Sequence, residues 1–299
     1  MRPIDCKTVR DSMLKEAKEK IDGIYKVFGR KLKLVVIQVD GDKASDIYVR
    51  NKRKTCDNLD IECIVEKFRN DIGLYELSSW IIKYSNDDDV DGIILQLPLP
   101  DHLKNYKNDL INLINPNKDV DGLTEANIGK LWAGQDGIRP ATSEAVMRIL
   151  PITLEGTLVT IFGRSDLVGK PLIKMLMDRN ATVMCCHSNT SKVDIQRAFM
   201  TSDIIISATG ERRDLSNLII HRTDRIYIDV GINRNSNGDI CGDFQFSEWD
   251  LKINDQVLYT PVPGGIGILT TAQIPLNLIK CYELRTDTTV HSKLATNTY

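Results

Sequence analysis

The chain has no apolar run of about 18 residues, the length a helix needs to cross a bilayer. Its opening stretch, Met1 to Lys20, lacks the apolar centre of a secretory signal and is too rich in acids for a transit peptide. A cytoplasmic location without membrane contact is expected. Histidine is scarce, at four, and the seven cysteines at 6, 56, 63, 185, 186, 241 and 281 form no C-x-x-C pair. That scatter excludes zinc spacings and a disulfide framework, and leaves reduced thiols serving mainly as small buried apolar groups. No metal is expected. Excess charge of either sign is also missing, with 39 Lys plus Arg against 41 Asp plus Glu. Nucleic acid therefore finds no electrostatic footprint. Internal repeats and low-complexity tracts are absent.

What is present is an ordinary globular composition, 42% hydrophobic and 27% charged over 299 residues. At about 150 residues per domain this suggests two domains, each able to bury a core. Short β-rich runs alternate with longer helical patterns, which is the signature of α/β folds with parallel strands. In the first half, helical patterns at 5–27, 45–59 and 74–85 separate strands at 32–39, 61–68 and 92–96. The third strand stops at Leu97-Pro98-Leu99-Pro100, since proline cannot continue a ladder. Asn115 to Gly122, NPNKDVDG, is turn chemistry throughout. After Pro140 and a helix near 143–150, strands are expected at 158–162, 182–186, 203–207, 225–230 and 256–259, with a helix over about 168–179. The expected architecture is two α/β domains with a cleft between them, the C-terminal one a Rossmann-like doubly wound parallel sheet. Residues 1–140 form the first domain and 141–269 the second, with an apolar helix at about 270–285 packing back on the first. The polar tail after Thr286 is expected to fray.

The strand LVTIF runs into Gly163-Arg164-Ser165-Asp166-Leu167-Val168-Gly169, and a strand, a glycine turn and a helix N-terminus together make a pyrophosphate site. It departs from G-x-G-x-x-G, because Ser165 stands where the second glycine would be, and a plain strand-to-helix turn fits this segment equally well. NAD enzymes place a carboxylate at the end of the second strand for the ribose hydroxyls. Here that strand ends Cys185-Cys186-His187-Ser188-Asn189-Thr190, without an acid, while Arg164 and Ser188 can serve a 2′-phosphate. NADP is favoured over NAD. His187 reads equally as a loop histidine satisfied by its own tautomer.

Ser45, Tyr48 and Lys52 fall at i, i+3 and i+7, one side of a helix. By spacing alone a solvated face is the better reading, since Arg50, Lys52, Arg53 and Lys54 form a basic run. Gln96 and the NKDVDG loop stand at strand ends, where open parallel sheets hold ligands. For Asp119 and Asp121, turn capping is the better reading from the residues alone.

The segments SDIYVRNKRK, DGIILQLPLP, PNKDVDG followed by LTEANIGKL, GRSDLVGKP, CHSNT, DVGINR and TPVPGGIGILT follow one another over nearly the whole chain. This ordered set closely resembles the bifunctional methylenetetrahydrofolate dehydrogenase/methenyltetrahydrofolate cyclohydrolase family. The resemblance implies Lys52 as the catalytic lysine, Tyr48 as the tyrosine packing on the folate, Gln96 as the glutamine orienting the lysine and the bound folate, and Asp121 as the carboxylate gripping the pterin. It implies substrate contacts from Ser45, Leu95, Leu97 and the loop Pro263, Gly264 and Gly265. It implies NADP contacts from Gly163, Arg164, Ser165, Ser188 and Ile232, and a homodimer. The substrates would be tetrahydrofolate derivatives: hydride leaves the methylene bridge, and water then opens the methenyl cation to the 10-formyl product. A cationic substrate beside Lys52 disfavours a second charge, so the amine can exchange protons. Two segments depart from the family. Pro140-Ala141-Thr142-Ser143-Glu144-Ala145 stands where P-C-T-P-x-G is common, and Ile266-Gly267-Ile268-Leu269-Thr270 where V-G-P-M-T is common. These departures motivate two alternatives, a monofunctional NAD-dependent methylenetetrahydrofolate dehydrogenase and a noncatalytic folate- or dinucleotide-binding relative.

Overall fold

The structure is a computed structural model that describes residues 1–210, 215, 224–234, 238–253 and 256–296. In chain order the first elements are β1 (Arg2–Pro3), α1 (Cys6–Phe28), β2 (Lys33–Val39), α2 (Lys43–Asn58), β3 (Glu62–Phe68), α3 (Leu74–Asn86) and β4 (Gly92–Leu95). Two short helices, α4 (Asp101–Lys104) and α5 (Lys107–Asn112), precede a 3-10 turn at Pro116–Lys118, then α6 (Glu125–Trp132) and α7 (Ala141–Met147). The second half holds β5 (Leu158–Phe162), α8 (Gly169–Met177), β6 (Thr182–Cys186), α9 (Lys192–Thr201), β7 (Ile204–Ser207) and β8 (Ile226–Asp229). It closes with β9 (Asn233–Arg234), β10 (Ile240–Cys241), α10 (Glu248–Ile253), β11 (Leu258–Tyr259) and α11 (Ile266–Thr296). The chain packs as two compact units, one of Ser12–Ala141 and Thr271–Tyr299, the other of Met1–Asp11 and Thr142–Thr270.

In the first unit β3, β2 and β4 lie side by side in that order, all parallel. β2 and β4 carry near-continuous apolar sequence because both are buried, as parallel strands flanked by helices must be. Val35, Ile37, Ile93 and Leu95 meet Leu77, Ile81, Leu103 and Leu110 from the helices to form the core. α11 is tied to this unit by Asp91, a fully buried carboxylate that accepts two bonds of 2.7 Å from Arg30, one of 2.8 Å from the Lys33 N–H, and one from Arg285. Four charge-assisted donors offset the desolvation of that carboxylate.

The second unit contains a six-stranded parallel sheet of order β1-β11-β8-β7-β5-β6, which is the doubly wound pattern expected for 141–269. The first eleven residues differ from expectation. Arg2 and Pro3 pair in parallel with Leu258 and Tyr259, so the N-terminus extends this sheet instead of belonging to the domain that follows it in sequence. A two-residue edge strand gives no periodic signal to read. Both departing segments continue as helix: residues 141–147 form α7, and 266–270 form the first turns of α11.

Candidate active site and dinucleotide site

In the first unit, Ser45 and Val49 are buried and Tyr48 and Lys52 half-buried, whereas Ile47, Arg50, Arg53 and Lys54 are exposed. The face bearing Ser45, Tyr48 and Lys52 is thus turned inward, and the basic run is the solvated face. The Lys52 Nζ donates to Gln96 Oε1 at 3.0 Å, and Gln96 Nε2 donates to the Leu97 carbonyl at 2.6 Å. With its amide nitrogen so occupied, Gln96 can present only oxygen to the lysine, which fixes the orientation of both side chains. The Gln96 N–H also bonds the Ile37 carbonyl at 2.8 Å, carrying the β2–β4 ladder one residue past the strand and seating the glutamine at the carboxyl edge of the sheet.

Ser45 Oγ lies 2.7 Å from Asp42 Oδ2 and 3.3 Å from the Leu97 carbonyl, and its N–H donates to the same carboxylate at 2.9 Å. Its hydroxyl therefore anchors the start of α2 to the end of β4. The two aspartates of NKDVDG part company. Asp119 is buried and accepts from the Thr124 N–H at 2.7 Å and from Asn127 Nδ2 at 3.0 Å, so it is the turn cap. Asp121 is half-buried; desolvation and the neighbouring Asp119 push its carboxyl up from the ordinary range, while the charge of Lys52 opposes the rise. Gly122, at φ +69°, lets the loop lie against the 139–140 backbone, where a Cβ would stand 2.6 Å from the Arg139 carbonyl carbon. Sequence reasoning missed Asn277 on α11, which donates to the Val120 carbonyl at 2.8 Å and the Arg139 carbonyl at 3.0 Å and holds the aspartate loop. A buried asparagine in an apolar run was the one available signal.

In the second unit all six strands run parallel, so every segment following a strand emerges at one edge. Gly163 to Ser165 follow β5, His187 to Thr190 follow β6, Gly231 and Ile232 follow β8, and Pro261 to Gly265 follow β11. The loop Pro263–Gly265 therefore belongs to this unit, as do the dinucleotide positions, whereas Ser45, Tyr48, Lys52, Leu95, Gln96, Leu97 and Asp121 belong to the other. Gly163 has φ +126°, and a Cβ there would stand 2.0 Å from the Ala208 carbonyl oxygen. A Cβ on Gly169 would stand 2.4 Å from the Gly163 carbonyl oxygen, so the helix start packs directly on the turn. Ser165 Oγ accepts from the N–H groups of Val168 and Gly169 at 3.2 and 3.4 Å, occupying the place of the second glycine as a cap. Arg164, Ser188 and Ile232 are exposed. His187 Nδ1 accepts from the Asn189 N–H at 3.2 Å, and the His187 N–H donates to Thr190 Oγ1 at 2.8 Å, so this histidine is engaged in its own loop.

Behind this edge lies a network that sequence reading did not anticipate. Asp229 accepts from the N–H groups of Gly231 and Phe244, each at 2.8 Å, and Asp243 accepts from Ser207, from Thr209 at 3.0 Å and from Asn233 at 2.8 Å. Burial pushes the Asp229 carboxyl up to about 7, against the pull of its backbone donors. Among the described residues no cluster of three or more His, Cys, Asp or Glu could hold a metal ion, and no helix is long and apolar enough to cross a membrane.

Residues 4–121 match the family described as tetrahydrofolate dehydrogenase/cyclohydrolase, catalytic domain, and residues 140–286 match tetrahydrofolate dehydrogenase/cyclohydrolase, NAD(P)-binding domain. A bifunctional protein FolD of Janthinobacterium sp. (strain Marseille) is 38% identical over 263 residues, covering 87% of this chain and 90% of its own. The chain belongs to the tetrahydrofolate dehydrogenase/cyclohydrolase family. A bifunctional FolD of Agathobacter rectalis, 35% identical over 280 residues, covers 93% of this chain and 97% of its own. Among solved structures, the bifunctional enzyme FolD of Campylobacter jejuni superposes with a TM-score of 0.86 at 36% identity, covering 95% of this chain and 99% of that one. The FolD of Trypanosoma brucei, solved with NADP cofactor and inhibitor, gives a TM-score of 0.85 at 28% identity, over 95% of this chain and 97% of that one. The NAD-dependent dehydrogenase of Saccharomyces cerevisiae is 20% identical and shares the fold.

Proposed function

We propose that this chain oxidises 5,10-methylenetetrahydrofolate with NADP and hydrolyses the resulting 5,10-methenyl cation to 10-formyltetrahydrofolate, using Lys52, Tyr48, Gln96 and Asp121. The observation that carries the reading is the Lys52–Gln96 contact of 3.0 Å, its orientation fixed by the Leu97 carbonyl, in a chain of this family. Gln96 holds the amine without adding charge. Lys52 can then take a proton from the water that attacks the methenyl carbon and return one to the ring nitrogen as the carbon–nitrogen bond opens. Asp121 presents a carboxylate to paired N–H donors of the pterin, and Tyr48 lies one helical turn from Lys52 to pack on the ring. Leu97 flanks the site, the Leu95 side chain lies in the core beneath it, Ser45 positions α2, and Pro263, Gly264 and Gly265 contribute substrate contacts.

The residues at the strand edge fit NADP. The turn is one that only glycine can make at 163, no carboxylate stands at the end of β6, and Arg164 and Ser188 are exposed there. Gly163, Arg164, Ser165, Ser188 and Ile232 would hold the cofactor. When bound, it takes up the hydride released by the methylene carbon. A cytoplasmic homodimer completes the reading, the dimer resting on family resemblance and checked by light scattering.

The test is a spectrophotometric assay of methylenetetrahydrofolate with each dinucleotide, alongside methenyl hydrolysis. Lys52→Arg keeps the positive charge but cannot release a proton at working pH. It should lose hydrolysis by about a hundredfold or more, the share a positioned acid/base group supplies. Normal hydrolysis in that variant would show that Lys52 acts only as a charge.

A further inference from the structure

Two buried carboxylates, Asp229 and Asp243, brace the loops on one side of the phosphate turn. The chain runs from β5 out to β6 and then back across to β7, so the strand order reverses between β5 and β7, where an open parallel sheet holds a dinucleotide. Arg164 and Ser188, assigned above to the 2′-phosphate, follow β5 and β6, which puts the adenosine half on the β6 side. The nicotinamide half then falls to the loops after β7 and β8. Asp243, 1% exposed, joins those two loops: it accepts from Ser207 at the end of β7, from Thr209 Oγ1 at 3.0 Å and from Asn233 Nδ2 at 2.8 Å. Asp229 accepts from the Gly231 N–H at 2.8 Å, and a Cβ on Gly231 would stand 2.5 Å from the Asp243 carboxyl carbon. Ile232 thus sits between two residues that the carboxylates hold, with its apolar side chain 48% exposed.

We infer that Asp243 is a positioning residue for hydride transfer, acting through Thr209 and Ile232 on the nicotinamide half of NADP. The inference rests on the function proposed above. The hydride passes from the methylene carbon, which becomes the methenyl cation, to NADP, which leaves as NADPH. Such a step depends on how closely the two reacting carbons are held, and a misplacement of about 1 Å can cost about a hundredfold. An ionised carboxylate only accepts hydrogen bonds, so the hydroxyls of Ser207 and Thr209 are committed to it as donors. Asparagine at 243 would replace one acceptor oxygen by an NH2 donor, and either Asn233 or the two hydroxyls would lose their acceptor. Hydrolysis consumes no dinucleotide, and Lys52, Gln96 and Asp121 lie in the other unit.

Dehydrogenase and methenyl hydrolysis are measured in parallel for the wild type, Asp243→Asn and Thr209→Val, and the Ile232 δ1 methyl is followed by NMR of the isotope-labelled chain without cofactor. Asp243→Asn should lower the dehydrogenase kcat about ten- to a hundredfold, keep the KM for NADP within about threefold and hydrolysis within about twofold, and shift the Ile232 methyl signal. Thr209→Val removes one donor while keeping the side-chain shape, and should show the same split between the two activities in smaller measure. An unchanged kcat in both variants would overturn the proposal, as would a rise in KM alone. Equal losses of both activities in both variants would also overturn it, since they mark a purely structural network. If the wild type reduces neither dinucleotide, the function proposed above fails, and the methyl signal still decides: unmoved in Asp243→Asn, it refutes the hold of Asp243 on Ile232.

Discussion

Gln96→Glu isolates the charge logic of the site. Glutamate replaces the carbonyl oxygen 3.0 Å from the Lys52 nitrogen with a carboxylate oxygen, and removes the amide hydrogen given to Leu97. At 3.0 Å two unit charges attract by about 5 kcal/mol at an effective dielectric constant of about 20. Lys52 is only half-buried and water screens part of that attraction, so a net preference for the ammonium of about 1.4 to 4 kcal/mol is the working range. The neutral amine needed to accept a proton from water is depleted by the same factor, about ten- to a thousandfold. Hydrolysis at neutral pH should fall accordingly and recover as pH rises, because the lost species is restored by deprotonation. Gln96→Leu supplies the control: it loses the bonds to both Lys52 and Leu97 without adding charge, at about 1 kcal/mol each, and should not displace the pH profile. Methenyl hydrolysis followed by absorbance across pH distinguishes the two. Equal losses and an unmoved profile in both variants would refute proton exchange by Lys52 and leave Gln96 a purely orienting role.

Arg164→Ala should raise the KM for NADP about 10- to 100-fold, the value of a lost charge-assisted contact, and leave NAD kinetics within about twofold; equal effects on both cofactors would contradict the assignment. Gly163→Ala forces a Cβ to within 2.0 Å of the Ala208 oxygen at φ +126°, and should destabilise by about 3 kcal/mol or more, read by denaturant unfolding. Asp229 takes up a proton on folding between its ordinary value of 3.8 and about 7, so stability is full below that window and falls through it by about 4 kcal/mol. Asp229→Asn should flatten the slope between about pH 4 and about pH 7, and a slope that persists would assign it to another group.

Where elements pack on a full stripe or a buried strand, the sequence carries their boundaries closely. β5 and β6 fall on the expected residues 158–162 and 182–186, and α3 extends the expected 74–85 by one residue. The elements that escaped are β1, α4, α5, α6, α9, the β9–β10 hairpin and α10. All but α6 and the ten-residue α9 are too short to show a period. The inward face of α2 was masked by the basic run that shares its helix. Which side of α2 is turned inward depends on Gln96 and the Leu97 carbonyl, 44 residues or more away in sequence from Lys52. Asn277, 157 residues from the carbonyl it supports, could not have been read locally.

The two halves of the chemistry are prepared by different devices. In the first unit a neutral amide holds the Lys52 amine, and the charge of that amine opposes the rise that burial imposes on the Asp121 carboxyl. Changing one charge there perturbs the other, which is why substitutions at 52, 96 and 121 should be non-additive. In the second unit the strand edge is set by backbone contacts too close for any side chain at Gly163 and Gly169, by Gly231 and Gly242 lying against the carboxylates of Asp243 and Asp229, and by the bond from the Phe244 N–H that ties Asp229 of β8 to that segment. Backbone fixed in that way tolerates a serine where a second glycine is usual, because Ser165 supplies an oxygen to the helix N–H groups instead of exposing them. If Arg164 and Ser188 hold the cofactor as proposed, a change of dinucleotide preference should be reachable at these two exposed side chains without loss of fold.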